Sequence, residues 1–404
     1  MSPPERIAAS RVLAYSRVIP QSSTCPYLRV SNTIGALHIL APTREGGLER
    51  VVAMLSAGQK AEGVEVAAVL DPLEAAGHPF VARIEALDVR VTPILVGRRG
   101  YRREYRQLRA LVARLQPGVV HTHGYRADVI GGAAARGNRA PTVSTVHGFT
   151  GGGYRNRLYE AVQSLALRRA DAVIAVSAPL VRRLTDAGVR RERIHCVPNG
   201  FAPTNPPAPR AEARRRLGIS GDAKVVGWVG RLSREKGADV MLYALSECDP
   251  SWRLSMIGAG PELDQLKQEA ARLGITERIV WHGEVADAGS LFTAFDAFVL
   301  SSRTEGTPIT LLEAMNSRVP IVATRVGGVP DVVTSAHAIL VAPEQALAIA
   351  NALSTLQREP TAAIRRSEMA RDRLLESFSS AAWLDAVDAV YRAARESARN
   401  RRRK

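Results

Sequence analysis

Residues 297–315 read Ala-Phe-Val-Leu-Ser-Ser-Arg-Thr-Glu-Gly-Thr-Pro-Ile-Thr-Leu-Leu-Glu-Ala-Met. The apolar run Ala297–Leu300 is too short for a helix and has the composition of a buried strand. A polar loop follows, and Thr307 and Pro308 then stand where a helix would be capped and begun. The segment is therefore a strand, a loop and a helix, the repeating unit of a parallel α/β sheet. Ligands of such sheets sit beyond the carboxyl ends of the strands. The amides of Ile309 and Thr310, unpaired in a first helical turn, would be open to phosphate. Glu305 lies in the loop and Glu313 about two turns up the helix. Glycosidase carboxylates stand about 5 to 9.5 Å apart, whereas eight helical residues span about 12 Å. Two separate ligand contacts fit this spacing better than an acid–base pair.

The same alternation extends in both directions. Strands are expected at Ala36–Ala41, Val64–Leu70, Val89–Val96, Val119–His121, Thr142–Thr145, Ala172–Val176 and Ile194–Val197. A second series falls at Ala223–Val229, Arg253–Ile257, Ile279–Trp281, Ala297–Leu300, Ile321–Ala323 and Ala338–Val341. Two such series predict two doubly wound sheets. Between them, Phe201–Arg210 carries Pro203, Pro206, Pro207 and Pro209 with no apolar period, which reads as a linker. The expected division is an N-terminal extension at 1–33, without ordered structure, and a first domain at 34–201. A linker at 202–217, a second domain at 218–375, a closing helix at 376–397 and an unstructured basic tail at 398–404 complete it.

Composition bounds the function. The chain has 404 residues, is 46% hydrophobic and carries a formal net charge of +16. No apolar run approaches the roughly 20 residues that span a bilayer, and Arg11 and Arg17 interrupt the one early apolar stretch. Cys25, Cys196 and Cys248 share no metal-ligand spacing, so free thiols and a cytoplasmic setting are expected. The basic excess concentrates in Arg98–Arg114 and in 401–404. It suits a solvated surface or an anionic membrane face, each basic residue there contributing roughly 1 kcal/mol. No aromatic-interleaved basic motif appears, so nucleic acid is not expected as a partner.

Three more loops fall at strand ends. Gly46-Gly47 follows the first strand, without the G-x-G-x-x-G spacing of a dinucleotide fold. Gly230-Arg231 with Lys236-Gly237 opens the second domain, and a guanidinium and an ammonium there can converge on a diphosphate. Gly258-Ala-Gly260-Pro261 places Pro261 at a first helical position. His121, His123 and His147 also stand at strand ends. Two histidines one residue apart could suggest a metal, but no matching acid or cysteine cluster accompanies them.

Taken together these segments resemble the retaining glycosyltransferases of family 4 (GT4), from about Ala36 to Val333. The likeness is strongest over Ser301–Met315, Pro320–Thr324 and Val326–Asp331, with Val197-Pro-Asn-Gly200 also in order. It implies an α/β chain of the GT-B architecture, two Rossmann-like doubly wound domains facing across a cleft. By that resemblance the substrate is a UDP- or GDP-sugar, no cofactor or metal is required, and the acceptor is a glycan or lipid-linked hydroxyl. Arg231 and Lys236 would hold the donor diphosphate, Glu305 the sugar and Glu313 the ribose, with His147 near the sugar. Gly46, Gly47, Gly230, Gly258, Gly306, Thr307, Pro308, Ile309 and Thr310 would complete the donor site, and His121, His123 and Tyr125 would face the acceptor. Two positions depart from the family: Arg318 and Ala338 stand where glycine is usual, Arg318 at a helix stop. A nucleotide-sugar epimerase of the same fold and a non-catalytic polyanion- or membrane-binding protein are the competing readings.

Overall fold

The structure, a computed structural model, describes residues 35–43, 46–97, 99–148, 154–203 and 205–403, and for 154–157 the backbone alone. The expected extension at 1–33 therefore lies outside the described residues.

Every expected strand is present. β1 (Ala36–Leu40), β2 (Val64–Leu70), β3 (Arg90–Leu95), β4 (Val119–His123), β5 (Thr142–Val146), β6 (Ala172–Ala175) and β7 (Ile194–Cys196) form one sheet. Its order is β3-β2-β1-β4-β5-β6-β7. β8 (Lys224–Val229), β9 (Trp252–Ile257), β10 (Ile279–Gly283), β11 (Ala297–Leu300), β12 (Ile321–Thr324) and β13 (Ile339–Val341) form another, in order β10-β9-β8-β11-β12-β13. All the pairings are parallel, so each connection must cross over through a helix or long loop. The central strands are covered on both faces, which is why they read as continuous apolar runs.

Each sheet reverses direction once. The chain winds outward from β1 to β3 and returns at β4; it winds outward from β8 to β10 and returns at β11. Crevices open at such reversals because neighbouring connections leave on opposite faces. The loops after β1, β4, β8 and β11 carry Gly46–Gly47, Tyr125, Gly230–Lys236 and Glu305–Pro308, while His147 and Gly258 follow the neighbouring β5 and β9.

Four local expectations are corrected. Residues 210–216 do not belong to a linker; they form a helix, because Ala213 and Leu217 are buried four residues apart on one helical face. Arg210 and the buried Arg214 bond it to the second sheet through Asp296 and the Ala294 carbonyl. The basic end is not an unstructured tail: one helix runs over Ser380–Arg403, and Arg401 reaches the buried Asp171 carboxylate at 3.2 Å. That helix packs on the first sheet, burying Trp383, Val387, Val390, Tyr391, Ala394 and Ala398. Thr307 does not cap a helix; Pro308 takes that position ahead of Ile309–Asn316, and the Thr307 hydroxyl is spent elsewhere. Pro261 is not a first helical residue either, since that helix begins at Leu263 behind Glu262.

Candidate active site

A cleft of about 800 Å³ opens between the two switch points. From the first half it is lined by Ala41, Thr43, Gly46–Arg50, His123, Tyr125 and His147, and from the second by Gly230, Arg231, Lys236, Gly258, Glu305, Gly306, Pro308, Ile309 and Thr310. Gly46 and Gly47 line it at the start of the helix Gly47–Gly58.

The centre of the second half is an ion pair. The Lys236 ammonium donates to both Glu305 carboxylate oxygens, at 2.8 and 3.0 Å, and Ser302 Oγ donates to one of them at 2.6 Å. The Glu305 side chain is only 5% exposed, so Lys236 offsets a carboxylate that would otherwise be costly to bury. Arg231 is half exposed and leans on Glu235 at 2.8 Å. The first turn of Ile309–Asn316 adds the positive end of a helix to the same wall. Lys236 thus meets the Glu305 carboxylate after β11, with Arg231 and a helix terminus on the same wall.

Close backbone approach holds this loop in place. A β-carbon on Gly306 would run into the His147 carbonyl oxygen, so glycine alone lets the two halves touch there. Gly327 has φ +49°, and a β-carbon on it would strike the Glu305 carbonyl. The Gly328 amide donates to that carbonyl at 3.2 Å. Thr307 ties the halves instead of facing ligand: its hydroxyl donates to the Val176 carbonyl at 2.6 Å and accepts from the Asn199 amide at 3.4 Å. Asp331 accepts from the Ala178 amide at 2.9 Å across the same seam.

Glu313 is not on the open wall. It is buried behind it, with the Arg50 guanidinium of the first half bonded to Oε1 and its Oε2 left without a partner. Burial raises its pKa, opposed by Arg50. Arg50 was not among the residues expected from sequence. Its signal was a cation three residues past Gly47, on the helix that opens at the first switch point. Glu49 was missed as well; it accepts from the Thr43 amide and hydroxyl at 2.7 and 2.9 Å and so closes the loop around Gly46.

The histidines separate into two groups. His147 and His123 line the cleft, 3.3 Å apart between ring nitrogens. His121 does not reach it: the ring is fully buried between Tyr391 Oη, at 2.8 Å, and Thr145 Oγ1, at 2.7 Å. Its expected place facing an acceptor is therefore not where the side chain lies: it shares a face with His123 but stands two residues further from the carboxyl end of β4, where Tyr391 of the helix Ser380–Arg403 covers it. Tyr125 is exposed at the mouth and stacks on Tyr159, ring centroids 5.3 Å apart.

The comparisons agree with the two-domain fold. The family described as Glycosyltransferase Family 4 matches residues 45–204, and the one described as Glycosyl transferases group 1 matches 209–373. The chain is 30% identical over 242 residues to the lipopolysaccharide core biosynthesis mannosyltransferase LpsB of Rhizobium meliloti, covering 56% of this chain and 66% of LpsB. It is 36% identical over 180 residues to the mannosylfructose-phosphate synthase of Agrobacterium fabrum, covering 40% of this chain and 39% of that one. Both matches thus span less than two thirds of the relative. Among solved structures, Anabaena HepE in complex with UDP-glucose superposes with a TM-score of 0.80 at 22% identity, over 88% of this chain and 98% of HepE. Sucrose-phosphate synthase from Thermosynechococcus elongatus gives 0.75 at 20% identity, over 89% and 98%.

Proposed function

Since the chain belongs to glycosyltransferase family 4, with the GT-B architecture, we propose that it transfers a sugar from a nucleoside-diphosphate sugar to an acceptor hydroxyl in this cleft. The observation that carries the reading is the Lys236–Glu305 pair, set with Arg231 and a helix N-terminus at the switch point of the second sheet.

The donor is a UDP- or GDP-hexose. Its diphosphate lies against Lys236, Arg231 and the Ile309 end of the helix, where negative charge develops as the nucleotide departs. Donor arrival lets Lys236 share its ammonium between phosphate and Glu305, freeing the carboxylate to meet the sugar. Glu313, expected at the ribose, lies behind the wall on Arg50 and acts there as a support of the helix Ile309–Asn316. The bond from the anomeric carbon to phosphate breaks as the bond to the acceptor oxygen forms on the same face. The acceptor proton passes to the departing phosphate oxygen, so the anomeric configuration is retained and no metal is needed to balance the step. Contact between the halves at Gly306 and His147 keeps water from competing. Replacing Glu305 or Lys236 by alanine is expected to abolish transfer with the circular dichroism of the fold retained. Unchanged turnover in either variant would refute the site, and an epimer formed from donor alone would favour an epimerase.

The acceptor is a glycan or lipid-linked hydroxyl, presented at an anionic membrane face. Arg99, Arg102, Arg103, Arg106, Arg109 and Arg114 are exposed on or beside the helix Tyr101–Leu115, whereas Arg98 lies outside the described residues. The neighbouring helix Tyr154–Leu167 exposes Leu158, Val162 and Leu165 at helical spacing. Both helices pack on Ala127–Gly131 beside Tyr125. Among the described residues no helix is long and apolar enough to cross a membrane, so the contact proposed is peripheral, on the inner face. Sedimentation with anionic but not neutral vesicles is the expected result; equal binding to both would sink the electrostatic account.

A further inference from the structure

Three imidazoles and one amide form a continuous row behind the cleft. His38 Nε2 lies 3.0 Å from Gln59 Oε1, and His38 Nδ1 lies 2.9 Å from His123 Nε2. His123 Nδ1 lies 3.3 Å from His147 Nε2, and His147 lines the cleft. A fourth ring, His121, lies tilted beside His123, centroids 4.2 Å apart, but bonds away from the row, to Tyr391 and Thr145. His38, His121 and His123 bring ligand atoms within 4.8 Å of one another, a spacing a metal could use. All six of their ring nitrogens already have hydrogen-bond partners, however, so a cation would have to displace at least two of those bonds.

Burial keeps the rings uncharged: the pKa of His38 and of His147 falls to about 4, and those of His121 and His123 fall well below the usual value. A neutral imidazole has one N–H and one lone pair. If one nitrogen donates, the other must accept, so three such rings in a row share one polarity. The Gln59 oxygen accepts from His38 Nε2–H. His38 Nδ1 then accepts from His123 Nε2–H, and His123 Nδ1 accepts from His147 Nε2–H.

We infer that Gln59 and His38, acting through His123, are positioning residues that hold the cleft histidine His147 in a single tautomer, hydrogen on Nε2 and lone pair on Nδ1. Nδ1, the nitrogen the row leaves over on this cleft-lining ring, is then an acceptor only. A sugar hydroxyl can donate to it, whereas a phosphate oxygen, itself an acceptor, is turned away. The row therefore sorts the hydroxyl-bearing end of a substrate from its phosphate end. Gln59 stands 88 residues from His147 in sequence and does this without touching substrate.

The inference rests on the transfer reading of the cleft, but the wiring itself is measured without any substrate. Long-range proton–nitrogen NMR of the full-length chain, labelled with nitrogen-15 histidine, reports which nitrogen of each ring carries the hydrogen. His38, His123 and His147 are expected to be Nε2-protonated together. Gln59→Met removes the terminal acceptor and is expected to give mixed tautomers at His147, while Gln59→Glu, which keeps an acceptor, restores one. In transfer assays Gln59→Met is expected to lower kcat about tenfold with the donor KM unchanged, and Gln59→Glu to recover it. A wild-type His147 protonated at Nδ1 would overturn the inference, since the row would then run backwards from a flipped Gln59 amide. So would a Gln59→Met spectrum identical to that of the wild type. Either result leaves the transfer reading standing, and a chain that transfers no sugar can still show the predicted tautomers.

Discussion

Glu305 and Lys236 are 69 residues apart in sequence and share two hydrogen bonds in the fold. Both were legible from sequence because each stands in a glycine-bounded loop after an apolar run. Arg50 was not, because its value depends on how the two halves meet: 263 residues separate it from Glu313. The Glu313 side chain is 8% exposed and Arg50 is its charge partner. Arg50→Ala should leave an uncompensated buried carboxylate and cost about 3–5 kcal/mol of stability, read by urea unfolding. His121 was misplaced for a related reason, since a strand-end histidine can face cleft or core and the covering helix is remote in sequence. His38 supplies a pH prediction. Its folded pKa is depressed to about 4 from 6.5, so between those values the unfolded chain binds the proton that the native ring refuses. Stability is then fully present above about pH 6.5 and falls toward pH 4, by about 3 kcal/mol for this one ring. Chemical unfolding across that range should show the slope, and His38→Gln should make it shallower by one ring's share, since His121, His123 and His147 are depressed in the same direction.

At the scale of elements, the strands were readable because parallel strands covered on both faces are continuous apolar runs with no competing period. The helix at 210–216 was hidden by four nearby prolines, which signal extended chain but say nothing about the apolar pair that follows them. The helical end of the chain was hidden by its charge; what holds it is Asp171, remote in sequence but 3.2 Å from Arg401 in the fold. The helix Ile309–Asn316 ends with Arg318 at φ +52°, a left-handed conformation that costs a side-chain-bearing residue about 1 kcal/mol. Arg318→Gly should relieve it, raising the unfolding free energy by about that amount with transfer unchanged. The loop Val326–Gly328 works the other way. Gly327→Ala meets both an unfavourable φ and the Glu305 carbonyl, so it should displace Glu305 and lower kcat by at least tenfold. Circular dichroism and transfer kinetics on the purified variant would show whether activity falls faster than structure.

The whole molecule brings two sheets edge to edge across one cleft and clasps them with the last helix, which crosses back to the first sheet. Neither half alone holds a complete site: the cations, Glu305 and the helix terminus come from the second, while His147, Arg50 and the glycine loop come from the first. This division was visible from the two strand series, and so was a closing helix at 376–397; what that helix closes on was not, because Tyr391 and His121 are 270 residues apart. If the cleft binds a nucleotide-sugar, ligand should stabilise the assembled molecule by about 2.7 kcal/mol at a hundredfold excess over Kd. The most direct measurement is the melting temperature of the wild type and of Lys236→Ala against a panel of UDP- and GDP-sugars. At least one donor should raise the wild-type Tm, and the same donor should leave Lys236→Ala unmoved. A panel that shifts neither protein, or shifts both equally, would contradict the account.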